Sequence, residues 1–182
     1  MLETILSEIK SRKEQVISPR PSSIPWTQKI ESEFEGYPVF DWTDDFNYSK
    51  CHTYEVVLHL FDLQKPKSSS DLTELVRKME GAIYSIILKV SVIQPYYLIG
   101  LLKRSAGENQ KITEKLILPQ CNLHQDMLTR LEKLVENERF QKIQRELLKI
   151  SVPEINLELA QFVTVYNCLF EDQDSSLPII WY

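Results

Sequence analysis

Two cysteine–histidine pairs stand out in this 182-residue chain as residues whose types and spacing can do chemistry: Cys51-His52 and Cys121-Asn-Leu-His124. Thiolate and imidazole are zinc ligands, and a Cys-x-x-His step can span one ion. Structural zinc sites use two tight pairs on turns, however. Cys51-His52 reads as part of a strand, where neighbouring side chains point to opposite faces. The same residues have the types of a nucleophile and its base. Cys121 stands just before a helical stretch, and a helix terminus lowers a thiol pKa. No nucleophile elbow or protease signature surrounds it. The three cysteines, Cys51, Cys121 and Cys168, are widely spaced and odd in number, which suits reduced, mostly buried thiols. No catalytic residue, metal or cofactor is assigned, and the chain reads more as a binder than as an enzyme. Asp44-Asp45 has the composition of an acid/base pair, as any acidic protein has somewhere.

Glycine supplies an exclusion. The four glycines, Gly36, Gly81, Gly100 and Gly107, are isolated from one another. Phosphate cradles need closely spaced glycines so that backbone amides can approach the anion, so the Walker, dinucleotide and kinase loops are all ruled out.

Residues 30–49 form the most unusual window. They hold six acids (Glu31, Glu33, Glu35, Asp41, Asp44, Asp45), no base, and six aromatics (Phe34, Tyr37, Phe40, Trp42, Phe46, Tyr48). Rings exposed among carboxylates would anchor a partner while the acids steer a basic surface toward them. The expected partner-binding residues are Glu33, Glu35, Asp41, Trp42, Asp44, Asp45, Phe46 and Tyr48. The competing reading has the rings in the core and the acids merely solvating its edge. Glu171, Asp172 and Asp174 would extend the negative face. The apolar end, Ile179-Ile180-Trp181-Tyr182, is expected to dock back on the domain, with a dimer or partner contact as the other reading.

Net charge is -5, and it runs in blocks. Residues 1–64 carry 11 acids and 6 bases, residues 65–150 carry 10 and 15, and residues 151–182 carry 5 and none. The basic middle is scattered and lacks the dense footprint that phosphate backbones require, so no nucleic-acid partner is expected. The first residues place carboxylates where a secretory signal needs a basic flank. The most apolar stretch, Ala82 to Leu102, is broken by Lys89, Ser91, Gln94 and Pro95, so no membrane span is expected and the address reads as cytoplasmic.

Positioning these residues falls to elements legible from periodicity. Leu2, Ile5, Leu6, Ile9 and Val16 make one stripe of an N-terminal helix over residues 2–17, ended by the prolines that follow. Residues 25–35 predict one or two helical turns with Pro25 in the first, and Tyr37–Asp41 a short strand. His52–Leu63 reads as a strand with Tyr54, Val56, Leu58 and Leu60 inward and Glu55 and His59 outward or at an edge. Asp71 is an N-cap candidate with Glu74 echoing a capping box, ahead of a buried face of Leu72, Leu75, Val76 and Met79. Residues 84–93 fit both periods; a strand is favoured over a helix because Gly81 breaks the pattern. Tyr96–Arg104 and Lys111–Leu118 predict a hairpin around Ala106-Gly-Glu-Asn. Leu123, Met127, Leu131 and Leu134, then Phe140, Ile143, Leu147 and Ile150, predict two consecutive helices or one bent helix up to Pro153. Phe162–Phe170 predicts a late strand.

The expected fold is α+β and a single domain over residues 1–182. It has a mainly antiparallel sheet of about five to six strands, with an N-terminal helix and a long C-terminal helical region packed on it. The expected function is binding without catalysis, in a concrete form an immunity-type inhibitor of a basic toxin or nuclease domain, as a monomer or homodimer. Two other classes remain. One is a small-molecule-binding domain or enzyme with a Cys/His-containing pocket, and the other is a structural subunit of a larger assembly.

Overall fold

A computed structural model of the chain describes residues 2–11, 21–43, 49–59, 69–79, 81–107 and 112–172. The fold is mixed α/β, with six helices and a six-stranded, mostly antiparallel sheet among these residues. Helix α1 spans Leu2–Ser11 and α2 spans Ile24–Glu33, with Pro25 in its first turn. Strands β1 (Val39–Asp41) and β2 (Cys51–Val57) follow, then helix α3 (Ser69–Lys78). Strands β3 (Ala82–Ser91), β4 (Tyr96–Ala106) and β5 (Ile112–Ile117) complete a meander in the order β1-β2-β3-β4-β5. Each neighbour pairs antiparallel with the last, although helix α3 intervenes between β2 and β3; the expected hairpin is the β4–β5 pair.

Of residues 84–93, which fit both periods, 84–91 lie in the central strand and the strand ends at Ser91, two residues short of the expected bound. Gly81 has φ 89°, a left-handed conformation costly for other residues, and it ends α3 where β3 begins. Strand β3 is apolar on both sides because the sheet is covered on both faces. On one face, Tyr54, Val56, Ile86, Leu88, Tyr97, Ile99 and Leu101 pack against Ile30 of α2, Phe34 just after it, and the long helix α4 (Asn122–Asn137). On the other, α1 contributes Ile5 and Ile9 to a core with Ile87, Leu98 and Leu102. A smaller cluster on that face joins Phe40, Val57, Val76 and Ile83, with Leu75 of α3 and Met79 just after it packed against it.

Four expectations are corrected. Helix α3 begins at Ser69, so Asp71 sits in its first turn and is no N-cap, while Glu74 pairs with Lys78 at 2.8 Å one turn on. In α4 the buried stripe is His124, Met127, Leu128, Leu131 and Val135; Leu123 turns outward. The long C-terminal helical region is absent from the described residues. Helix α4 ends at Asn137, and Arg139 takes a left-handed φ of 67° that no helix accommodates. The chain then crosses the end of the sheet as β6 (Gln141–Lys142), which pairs parallel with Tyr96–Tyr97, and makes one turn, α5 (Arg145–Leu148). A three-to-four spacing of apolar residues there reflects a chain weaving between two cores: Phe140 faces Trp26, whereas Ile143 and Leu148 face α1's side. Finally, Phe162–Phe170 is no strand. Thr164 caps the short helix α6 (Val165–Leu169) in a reciprocal capping box with Asn167, and burial on every side explains its β-like composition.

The segment before α6 is pinned by one buried side chain. The Asp172 carboxylate accepts from the backbone N–H groups of Glu158, Leu159 and Ala160 at 2.9–3.3 Å. Asp172→Ala is expected to cost about 1–3 kcal/mol in a urea titration, since three amides lose a charged acceptor at once.

Candidate functional site

The acidic–aromatic window is divided by the sheet. Phe34 and Phe40 are buried, at 1% and 6% exposure, and in separate clusters on opposite faces. Alternation along a strand and a helix face pointing at the core produce this split, so these two rings cannot share a solvent-facing patch. Tyr37 and Trp42 are half-buried, with Trp42 edge-on to Phe40 at 6.1 Å. The Trp42 indole N–H donates to Glu55 at 2.8 Å, which fixes that ring against the sheet.

The acids sort likewise. Glu31 and Glu35 are exposed on and just after α2. Glu33 binds Arg130 of α4 through both its carboxylate, at 2.9 Å, and its backbone carbonyl. Asp41 is half-buried and accepts from the Thr43 N–H at 2.9 Å and the Thr27 hydroxyl at 3.3 Å. Burial pushes the Asp41 carboxyl up, but hydrogen bonds from Ser23, Thr43 and Thr27 outweigh it and hold the group below its usual value. Asp44, Asp45, Phe46 and Tyr48 lie outside the described residues.

The Cys/His pairs do not converge. Cys51 points into the core of α1's side, whereas His52 lies on the opposite face beside Tyr54. Cys121 is exposed at the start of α4, and His124 is buried against Tyr84. No group of three His, Cys, Asp or Glu among the described residues is arranged to hold a metal ion. Desolvation raises the Cys51 thiol pKa and moves Cys168 to about 11, so both stay protonated near neutrality.

A groove of about 340 Å³ lies at the end of the sheet where β2 starts and β3 stops, lined by Trp26, His52, Val90, Ile93, Pro95 and Phe140 among others. Trp26 and Phe140 meet edge to face at 5.6 Å, with the Lys29 ammonium 5.7 Å from the Trp26 ring. Burial holds the His52 imidazole below its ordinary pKa, opposed by the charge of Asp41. The groove therefore offers aromatic and aliphatic walls with a neutral imidazole.

Sequence reasoning missed the buried charges on α1's side of the sheet. Glu55, expected outward or at an edge, is 1% exposed. Its carboxylate pairs with Arg104 and accepts from the Ser85 hydroxyl at 2.6 Å as well as from Trp42. Lys89, one of the scattered bases of the middle segment, is 6% exposed and pairs with Glu171, which also accepts from the Tyr166 hydroxyl at 2.6 Å. A signal for them was present: Ile86, Ile87 and Leu88 form a run apolar on both faces. Polar neighbours in such a strand have to find partners.

No helix among the described residues is long and apolar enough to cross a membrane. Compared with known proteins, the chain matches no family model, no curated protein and no solved structure.

Proposed function

We propose that the protein acts by binding a basic protein surface, as an inhibitor would that covers the active face of a cationic toxin or nuclease domain. One observation carries this reading: the antiparallel bridge between Ser49 and Glu171, with the Lys50 N–H donating to the Phe170 carbonyl at 2.6 Å. It joins the end of the 30–49 window, with six acids and no base, to the 151–182 stretch, with five acids and no base. Two acidic segments remote in sequence thus meet at one edge of the fold. Glu171 and Asp172 are used internally, the first on Lys89 and the second on the 158–160 amides. The outward field rests on acids such as the exposed Glu31 and Glu35, with Trp42 and Tyr37 as half-exposed rings nearby in sequence; Asp44, Asp45 and Asp174 belong to the same two stretches but lie outside the described residues. Such a field speeds encounter with a basic partner and rejects acidic ones.

The test is affinity capture from the source cells, followed by association kinetics with the captured partner. Reversal of Glu35, Asp44 and Asp45 to lysine is expected to slow association at least about tenfold at low salt, and much less at high salt. Asp41 is spared because it holds Thr27 and Thr43. An unchanged on-rate in the folded variant removes the proposal.

The groove favours a second reading, a small-molecule site. It predicts that planar, largely apolar fragments shift the His52 and Trp26 resonances, and that Phe140→Ala abolishes the response. A fragment screen without such shifts leaves the first reading standing alone.

A further inference from the structure

We propose that the start of α4 is an acid-sensitive latch, in which His124, packed on Tyr84 of the sheet, ties the first turn to the residues just before the helix while its imidazole is neutral and releases that turn when it is protonated. The tie is specific to one protonation state. The Gln120 backbone N–H donates to His124 Nδ1 at 3.5 Å, and a ring nitrogen accepts only when it carries no proton. Imidazolium has an N–H at both positions, so protonation would set the Nδ1–H against the Gln120 N–H, donor against donor. The ring is 9% exposed and lies 5.0 Å from the Tyr84 ring, tilted by 35°.

The surroundings offer a charged imidazole little compensation. From β4, the Lys103 ammonium sits 5.7 Å from the same Tyr84 ring. Lys103 pairs in register with Tyr84 on one side and Lys115 of β5 on the other, which aligns two cations on that face. From the turn after β2, His59 lies close enough for the two imidazoles to repel when charged, and its Nε2 is buried without a hydrogen-bond partner. On the helix itself, Cys121 provides no side-chain cap, so the unsatisfied N–H groups of the first turn add positive potential. The carboxylate in the opening turns of α4, Asp126, is exposed.

Burial holds both His124 and His59 below the ordinary histidine value of 6.5. An opened helix start restores the ordinary value, so the open form takes up the proton first. The closing contribution is therefore complete above that value and is lost as pH falls through it toward the lowered one.

Hydrogen exchange of the intact protein at about pH 7.5 and about pH 5.5 tests the latch, with β3 amides as an internal reference. After correction for the chemical rate, amides early in α4 are expected to exchange up to about tenfold faster at the lower pH than at the higher. In His124→Gln, which cannot titrate, the acceleration is expected to vanish. Equal protection at the two pH values overturns the proposal, as does an acceleration that persists in His124→Gln. A second readout needs no variant: the Gln120 amide shift should follow the His124 titration in the wild-type protein. A Gln120 signal that ignores that titration overturns the latch equally.

Discussion

Glu55→Ala is expected to lower folding free energy by about 3–5 kcal/mol and the melting temperature by roughly 10 °C. The carboxylate is 2% exposed on its side chain and joins three strands. It pairs with Arg104 of β4, accepts from Ser85 of β3, and holds the Trp42 indole beyond the end of β1. Alanine at this position leaves the guanidinium with Glu114 as its remaining ion pair, at 2.5 Å, and takes away the acceptor of the buried Ser85 hydroxyl and of the half-buried Trp42 indole. The cost is thus mainly that of the partners left behind, and it can be separated from the net value of the pair. Replacing both Glu55 and Arg104 with methionine is expected to recover much of the loss, because two apolar side chains need no solvation. Chemical denaturation of the two single variants and the double variant checks this. A Glu55→Ala protein within about 1 kcal/mol of wild type would contradict the assignment of a buried, fully engaged carboxylate.

Lys89→Ala is expected to cost about 3 kcal/mol, and to loosen one region before the rest. The ammonium binds Glu171 and lies 3.3 Å from the Thr53 hydroxyl, and Glu171 in turn accepts from Tyr166 of α6. This chain of contacts ties α6 and the Ser49–Glu171 bridge to the middle of the sheet. With the cation gone, Glu171 stays largely buried beside a phenol whose own proton burial already holds tightly. Exchange protection is therefore expected to fall first at residues 165–171, while the β3–β4 pairing keeps its own. Uniform loss across the sheet would show that the ion pair does not act locally. The same contacts bear on the proposed function, since the bridge they support is what joins the two acidic stretches.

Much of the sheet was legible from residues alone, and particular elements show why. The hairpin of β4 and β5 is announced by two β-rich runs around Ala106-Gly-Glu-Asn. Residues 84–93 fit both periods, and the strand is favoured there because Gly81 breaks the pattern; the structure makes Ala82–Ser91 the strand. The two-faced split of Cys51 and His52 is a consequence of strand geometry. Local turn chemistry and a period of two determine such features, and both are written within a dozen residues.

What the sequence by itself determined is thus the β4–β5 hairpin within a mainly antiparallel sheet, the helix begun by Pro25 and the apolar character of α4; the order of the strands came from the tertiary structure. The tertiary structure alone decided what lies on the second face of each strand. Glu55 meets Arg104 49 positions away and Lys89 meets Glu171 82 positions away, so no local pattern records that these charges are enclosed. It also decided that Phe162–Phe170 winds into a capped turn and that residues 140–150 weave between two cores. The physical reason is common to all of these. Periodicity reports which side of an element is apolar, whereas burial of the other side depends on distant segments, and polar groups caught there are then bound to pair.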